Sequence, residues 1–370
     1  MRTLLARTAH KAWSSLWDEM ERLSPEAGSI RARLRAPLTA GELGGLLLSA
    51  CAVTFFLLAP MPPQEFLYDY RIYIGTLEGQ FTSYYYGYWL LPLFALPGRL
   101  PHPLGYLLWI AANIAGVWFA ARVFGGRAGR ALFSFQMLYM LFFGQFIGLL
   151  MGGLALLWWG LANRRWHLAG MGLLIAAAKF HVGIPWGLFL LLLADVRWRD
   201  RLRTLLIPLA GVALSLWAYP LWPLQMLRLA QETPPNTWGS ITLWQYLGPL
   251  VLLLWLPPLL LPMTRGRRFI ALAVTTCIAL PYFQQADLLG LLVLPIGWVA
   301  LLGNLGFLLF FLGWEALRVL AIVPLVLYVA IVVPAARSLI QSWRRTQSPH
   351  PQESIDAHRP PDSKPHPSPD

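Results

Sequence analysis

The apolar residues of this chain come in runs that continue from residue 43 to about residue 333, separated by short polar or Pro/Gly-rich breaks. The runs cover 43–60, 88–96 (cut by Pro92 and Pro97), 104–123, 131–143, 146–162, 168–194, 204–222, 247–263 and 269–280. A last stretch, 288–333, holds two or three further helices around Gly303, Gly306 and Gly313. At about 20 residues per crossing, this pattern predicts an all-α polytopic membrane bundle of roughly 10–12 helices. The bundle forms one integrated domain over residues 43–336. The run 168–194 is long for one helix and carries Lys179, His181 and Pro185 near its middle. A kink or two half-helices meeting there is expected, because Pro185 removes a backbone hydrogen bond. Segments 88–96 and 131–143 are short enough to be re-entrant. If every early segment crosses, Arg164 and Arg165 fall outside; if one does not, they fall inside.

The flanks read differently. Residues 1–42 set Leu4, Leu5, Trp13, Leu16 and Trp17 against Arg2, Arg7, Lys11, Arg31, Arg33 and Arg35. That is the pattern of a helix lying on an anionic inner leaflet. Residues 337–370 grow rich in Pro, His and Ser and are expected to form a disordered cytoplasmic tail.

Composition strengthens the membrane reading. Hydrophobic residues make up 57% of the chain and charged residues 12%, well below the quarter or so typical of soluble domains. The net charge of +12 matters less than its position. Arg197, Arg199, Arg201 and Arg203 cluster between apolar runs, as do Arg265, Arg267 and Arg268, and then Arg337, Arg344 and Arg345. The positive-inside rule puts these segments in the cytoplasm and makes the chain a multi-pass protein of the plasma (inner) membrane. Arginines capping apolar spans are the pattern of membrane topology, so no nucleic-acid partner is expected. Cys51 and Cys277 each sit inside an apolar run and read as neither metal ligands nor disulfide partners.

With the membrane as the frame, polar residues become informative. Only eight acidic residues lie between Leu43 and Ala336: Glu65, Asp69, Glu78, Asp195, Asp200, Glu232, Asp287 and Glu315. Asp195 and Asp200 fall among cytoplasmic arginines and read as solvated. Asp69 lies just past the first apolar run, in Phe66-Leu-Tyr-Asp-Tyr-Arg-Ile-Tyr73, ahead of the aromatic run Tyr84-Tyr85-Tyr86-Gly87-Tyr88-Trp89. It either caps a short interfacial helix or serves as a catalytic base. Lys179, in an otherwise apolar run, must snorkel to an interface or meet an anion such as phosphate, with His181 as a second donor. Gln145 reads as an interhelical amide or a ligand contact. Asp287, after Gln284-Gln285, reads as a helix cap or a site residue. The tyrosines suit an interfacial belt and also a sugar-binding surface.

The order of these features resembles the GT-C glycosyltransferases, and within them glycosyltransferase family 87, whose members use polyprenyl-phosphate sugars and include bacterial mannosyltransferases. The resemblance rests on Asp69 with Tyr70 and Tyr73 after the first helix, the Tyr-rich stretch from Tyr84 to Pro92, and Phe143-Gly144-Gln145-Phe146. It continues through Arg164-Arg165-Trp166, Ala169-Gly170, Lys179, Arg197-Trp198-Arg199, and Pro281-Tyr282 leading to Asp287-Leu288. Two positions depart from it: Gly148 stands where the family carries an asparagine, and Ala286 where it tends to carry a histidine. The resemblance implies transfer of a hexose, mannose first, from a polyprenyl-phosphate donor to a lipid or glycan acceptor at the external membrane face. It further implies an external catalytic loop after the first helix. Asp69 would be the catalytic base, and Arg71, Tyr73, Tyr86, Gln145, Lys179, His181, Gln285 and Asp287 would contact substrate. No cofactor and no metal ligand set is expected. The competing readings are a transporter or lipid flippase using Lys179 and Asp287 in a membrane pathway, and a noncatalytic assembly scaffold.

Overall fold

The computed structural model describes residues 2–23, 26–59, 66–81, 84–232 and 240–347. Glu65 and the tail from 348 onward, both read above from sequence, lie outside the described residues, as do residues 233–239. Within them the chain is helical, and the sole extended pairing is an isolated antiparallel bridge between Ser240 and Gln284.

The helices start and stop where local chemistry dictates. Helix α1 (Arg2–Met20) and α2 (Ala27–Arg35) precede α3 (Ala40–Leu58), which opens on a capping box: Thr39 accepts from the Glu42 amide while Glu42 reaches back to the Thr39 amide. The short α4 (Tyr68–Gly75) and α5 (Leu91–Arg99) lead to α6 (His102–Phe124), which ends at Gly125 with φ of 83°. Helix α7 (Ala128–Leu132) is followed by α8 (Phe135–Phe143), capped by Ser134, and by α9 (Ile147–Ala162). Then come α10 (Trp166–Ala176), α11 (Phe180–Leu193), α12 (Trp198–Ala218), α13 (Trp222–Glu232), α14 (Arg265–Ala279) and the terminal α15 (Ile322–Gln347).

Four helical stretches are long and apolar enough to cross a membrane: Ala40–Leu58, His102–Phe124, Trp198–Ala218 and Trp314–Arg344. A fifth is added if α8 and α9, which meet at 115°, form one span. The expected ten to twelve full-length helices are therefore not found among the described residues. Much of the remaining apolar sequence forms shorter helices such as Trp166–Ala176, Phe180–Leu193, Trp244–Leu260 and Gly297–Leu312. Apolar composition records what stays out of water, whether inside the protein or against lipid, whereas the turns that cut these runs depend on one or two residues each.

The break in the 168–194 run lies at 177–179, not at Pro185, which sits within α11. Close packing explains it. A Cβ on Gly183 would come within 1.6 Å of the Ala176 carbonyl oxygen, so glycine lets α11 fold back against the end of α10. A similar contact joins α6 to α9, where a Cβ on Gly148 would lie 2.3 Å from the Asn113 carbonyl oxygen. Position 148 thus has no room for an amide side chain. Buried Asn113 supplies one instead: its Oδ1 accepts from the Leu149 amide at 3.1 Å, near the start of α9.

Basic residues collect at one end of the bundle. Arg31 donates to Asn163 Oδ1 at 2.7 Å, and Arg33 to the Val123 carbonyl at 2.7 Å, at the C-terminus of α6. Arg265 pairs with Asp195 at 3.4 Å, and a cavity is lined jointly by Glu26, Arg164, Ala194 and Asp195. Arg164 therefore shares an end with α2 and with the α11–α12 junction. Helix α1 packs on this end: Leu16 and Met20 are fully buried, and Trp17 Nε1 donates to the Ala330 carbonyl at 3.1 Å. Buried Glu19 pairs with Arg127 and Arg130. From Trp13 to Met20 the apolar face of α1 thus packs on protein.

Candidate functional site

Helices α8, α10 and α14 run away from the basic end and stop short. Their following turns, at 144–145, 177–179 and 280–287, meet beneath α4. Gly144, with φ of 69°, ends α8, and a Cβ there would come 2.6 Å from the Tyr70 Cβ. Only glycine satisfies both demands. The turn is pinned by Trp109 Nε1, which donates to the Gly144 carbonyl at 2.8 Å, and α4 by the Leu67 amide, which donates to the Phe142 carbonyl at 3.0 Å. The Gly87 amide donates to the Ala178 carbonyl at 3.2 Å, fixing the tyrosine loop over the second turn. The Ile241 amide donates to the Phe283 carbonyl at 3.0 Å and holds the third.

Asp287 is the anchor of the cluster. It is wholly buried; one oxygen is paired with the Lys179 ammonium, and the other lies 3.1 Å from His181 Nε2 and 3.3 Å from the Gln284 amide. Burial alone would raise its pKa, but Lys179 and His181 outweigh that and hold the carboxyl well below the usual carboxylate range. Both oxygens are engaged, so Asp287 positions Lys179 and His181. Lys179 stands at the cap position of α11 with His181 in its first turn, so the cation sits at a helix N-terminus. The N-terminus of α9 begins beside Gln145. Unpaired N–H groups and the helix dipole favour an anion at both places.

Asp69 is different. It is half-buried, and burial pushes its carboxyl up to about 6, partly countered by Lys179 and the Gln145 amide and reinforced by the charge of Asp287. Two carboxylates in one cluster thus have opposite environments, the arrangement that separates a titrating base from a fixed charge. One helical turn after Asp69, buried Tyr73 places its hydroxyl 3.3 Å from that of Tyr86. Burial, with Asp69 adding to it, raises both phenols well above their ordinary range.

Of the residues singled out from the sequence, the structure brings Asp69, Tyr73, Tyr86, Gln145, Lys179, His181, Gln285 and Asp287 into one cluster. Arg71 is the exception. Two residues along α4 turn it about 200° from Asp69, and its side chain is exposed. Two residues that the sequence did not single out for the site join the cluster: Tyr139 on α8, which interacts with Gln285, and Tyr282, whose ring lies edge-on to His181 at 5.1 Å. Tyr282 carries a signal, the Pro281-Tyr282 pair ahead of Asp287; Tyr139 sits in an apolar run and carries none. The imidazole beside Asp287 comes from His181 on another helix, while position 286 is a buried alanine. No protein-family model, curated protein or solved structure matches this chain.

Proposed function

We propose that this protein is an integral membrane glycosyltransferase that moves a hexose from a polyprenyl-phosphate donor to a lipid or glycan hydroxyl, with inversion. The reading rests above all on one observation: a half-buried carboxylate, Asp69, pushed up by its burial, shares a cluster with a lysine and a histidine held at a helix N-terminus. Asp69 removes the proton of the acceptor hydroxyl as the acceptor oxygen bonds to the anomeric carbon. The bond from that carbon to the phosphate oxygen breaks, and the lipid phosphate leaves with the electron pair. Lys179, with the first N–H groups of α11, stabilises the charge that develops there. A phosphate is already a good leaving group, so no second carboxylic acid is needed, unlike in glycoside hydrolysis. On this reading the basic end faces the cytoplasm and the membrane is the plasma (inner) membrane. The site then opens where nucleotide sugars are absent, which is why a lipid-linked donor is required.

The broken pair α8–α9 and the turn between the short helices α10 and α11 also suit a lipid transporter, since such proteins gather their sites at discontinuous helices. The two readings part on one assay. Purified protein is given radiolabelled polyprenyl-phosphate hexoses and a membrane lipid extract. Transfer of label that is lost with Asp69→Asn supports the transferase; movement of intact donor across proteoliposomes without transfer favours the transporter.

A further inference from the structure

Two glutamines in the cluster are buried and incompletely satisfied. Gln145 is 6% exposed and Gln285 1%. Gln145 interacts through its amide with Asp69, and Gln285 interacts with the Tyr139 hydroxyl. The Oε1 atom of each is buried with no hydrogen-bond partner among the described residues. An orphaned buried acceptor is costly, and two of them in one cluster need an explanation. Both atoms are acceptors, and each belongs to a side chain whose other end is held beside an acid or a phenol. What would satisfy them is a ligand that brings O–H donors.

We infer that Gln145 and Gln285 form a hydroxyl-reading subsite for an uncharged pyranose ring, and that sugars bearing a carboxylate are rejected. This rests on the transferase reading and names its substrate class. A hydroxyl donates to an amide oxygen and relieves the orphan; a deoxy carbon leaves it unpaired. A uronate offers no proton there and brings a negative charge toward Asp69 and Asp287. Sites built to bond a hydroxyl discriminate strongly against analogues without it. Gln285 is held in place by its neighbours, because its short 3-10 helix is capped by Gln284 and Asp287 and tied to Ser240.

The test uses the full-length protein with citronellyl-phosphate mannose, its monodeoxy analogues and citronellyl-phosphate glucuronate, with membrane lipid extract as acceptor source. The wild type should use at least one monodeoxy donor about ten times less well than the parent, and the glucuronate not measurably. Gln285→Met, nearly isosteric and without an acceptor, should erase the discrimination at one ring position. Gln145→Met should erase it at another. Unchanged discrimination in both variants, or equal use of glucuronate, overturns the inference while leaving transfer itself intact. A second measurement needs no turnover. Thermal unfolding of the wild type with methyl α-mannopyranoside should show stabilisation that methyl glucuronide does not give. No stabilisation, or equal stabilisation by both, overturns the subsite. If no donor is used at all, the transferase reading fails, and this binding arm still decides whether the cluster takes a sugar.

Discussion

A carboxylate that titrates near 6 inside a cluster of aromatic rings has consequences for both rate and stability. In its proposed role as base, Asp69 must be ionised, so kcat/KM should fall about tenfold per pH unit below 6 and level off above it. A profile flat from about pH 5 to 8 would remove Asp69 from the proton transfer. Asp69→Asn should lower turnover by about 10²–10⁴-fold. Stability runs the other way. Its folded pKa of about 6 lies above the ordinary 3.8, so the folded protein binds the extra proton, and stability falls as pH rises between those values. The asparagine variant should therefore be more stable than the parent at about pH 7.5, by about 1–3 kcal/mol, and no more stable at about pH 4. Thermal unfolding in detergent at the two pH values reads this directly. Asp69 is visible in the sequence because few acids occur in so apolar a chain. Tyr139 is not, since a tyrosine in an apolar run looks the same whether it faces lipid or a cavity.

At the level of elements, the site is a set of helix ends tied together by one buried charge group. Lys179 starts α11 and Asp287 lies in the segment after α14, so their ion pair fastens two turns across 108 residues. Lys179→Met would leave Asp287 ionised and short of a partner in the interior, at a cost of about 3–5 kcal/mol. Lys179→Met with Asp287→Asn should recover most of that stability, because neither charge is then stranded. It should not recover use of the donor. A donor KM that stays raised in a stable double variant, with the acceptor KM little changed, assigns the lysine to the phosphate. Full recovery of both would make the pair structural. The half-helices that carry these residues are legible only in part. The chain's charge anomalies mark where they meet, but Pro185 points to the wrong break. What ends α10 is close packing at Gly183, a contact with Ala176 that no local propensity announces. The same applies to Gly148, whose lack of an amide is explained by the approach of α6 and by Asn113.

For the whole molecule, depth and sidedness follow from helix length. Helix α10 has 11 residues and α11 has 14, so at about 1.5 Å per residue the cluster lies roughly 16–21 Å from the basic end. That is roughly half to seven tenths of a hydrocarbon core about 30 Å thick. The long helices α6 and α12 continue past that level, and α4 with the tyrosine loop closes over the cluster from the far side. On the proposed topology, with the arginine-rich end in the cytoplasm, Asp69 should be reached from outside. Labelling can test this with two positions that are exposed and remote from the cluster's contacts, Glu78 at the far end and Arg199 at the basic end. Native Cys277 is buried and Cys51 is exposed on α3, so Cys51→Ser provides the background. In intact cells a membrane-impermeant maleimide should label Glu78→Cys but not Arg199→Cys, and permeabilisation should expose the second. Labelling of both before permeabilisation would place the two ends on one side of the membrane. Protection of Glu78→Cys until permeabilisation would instead put the cluster's end in the cytoplasm and remove the reason for a lipid-linked donor, since a site facing the cytoplasm could take its sugar from a nucleotide.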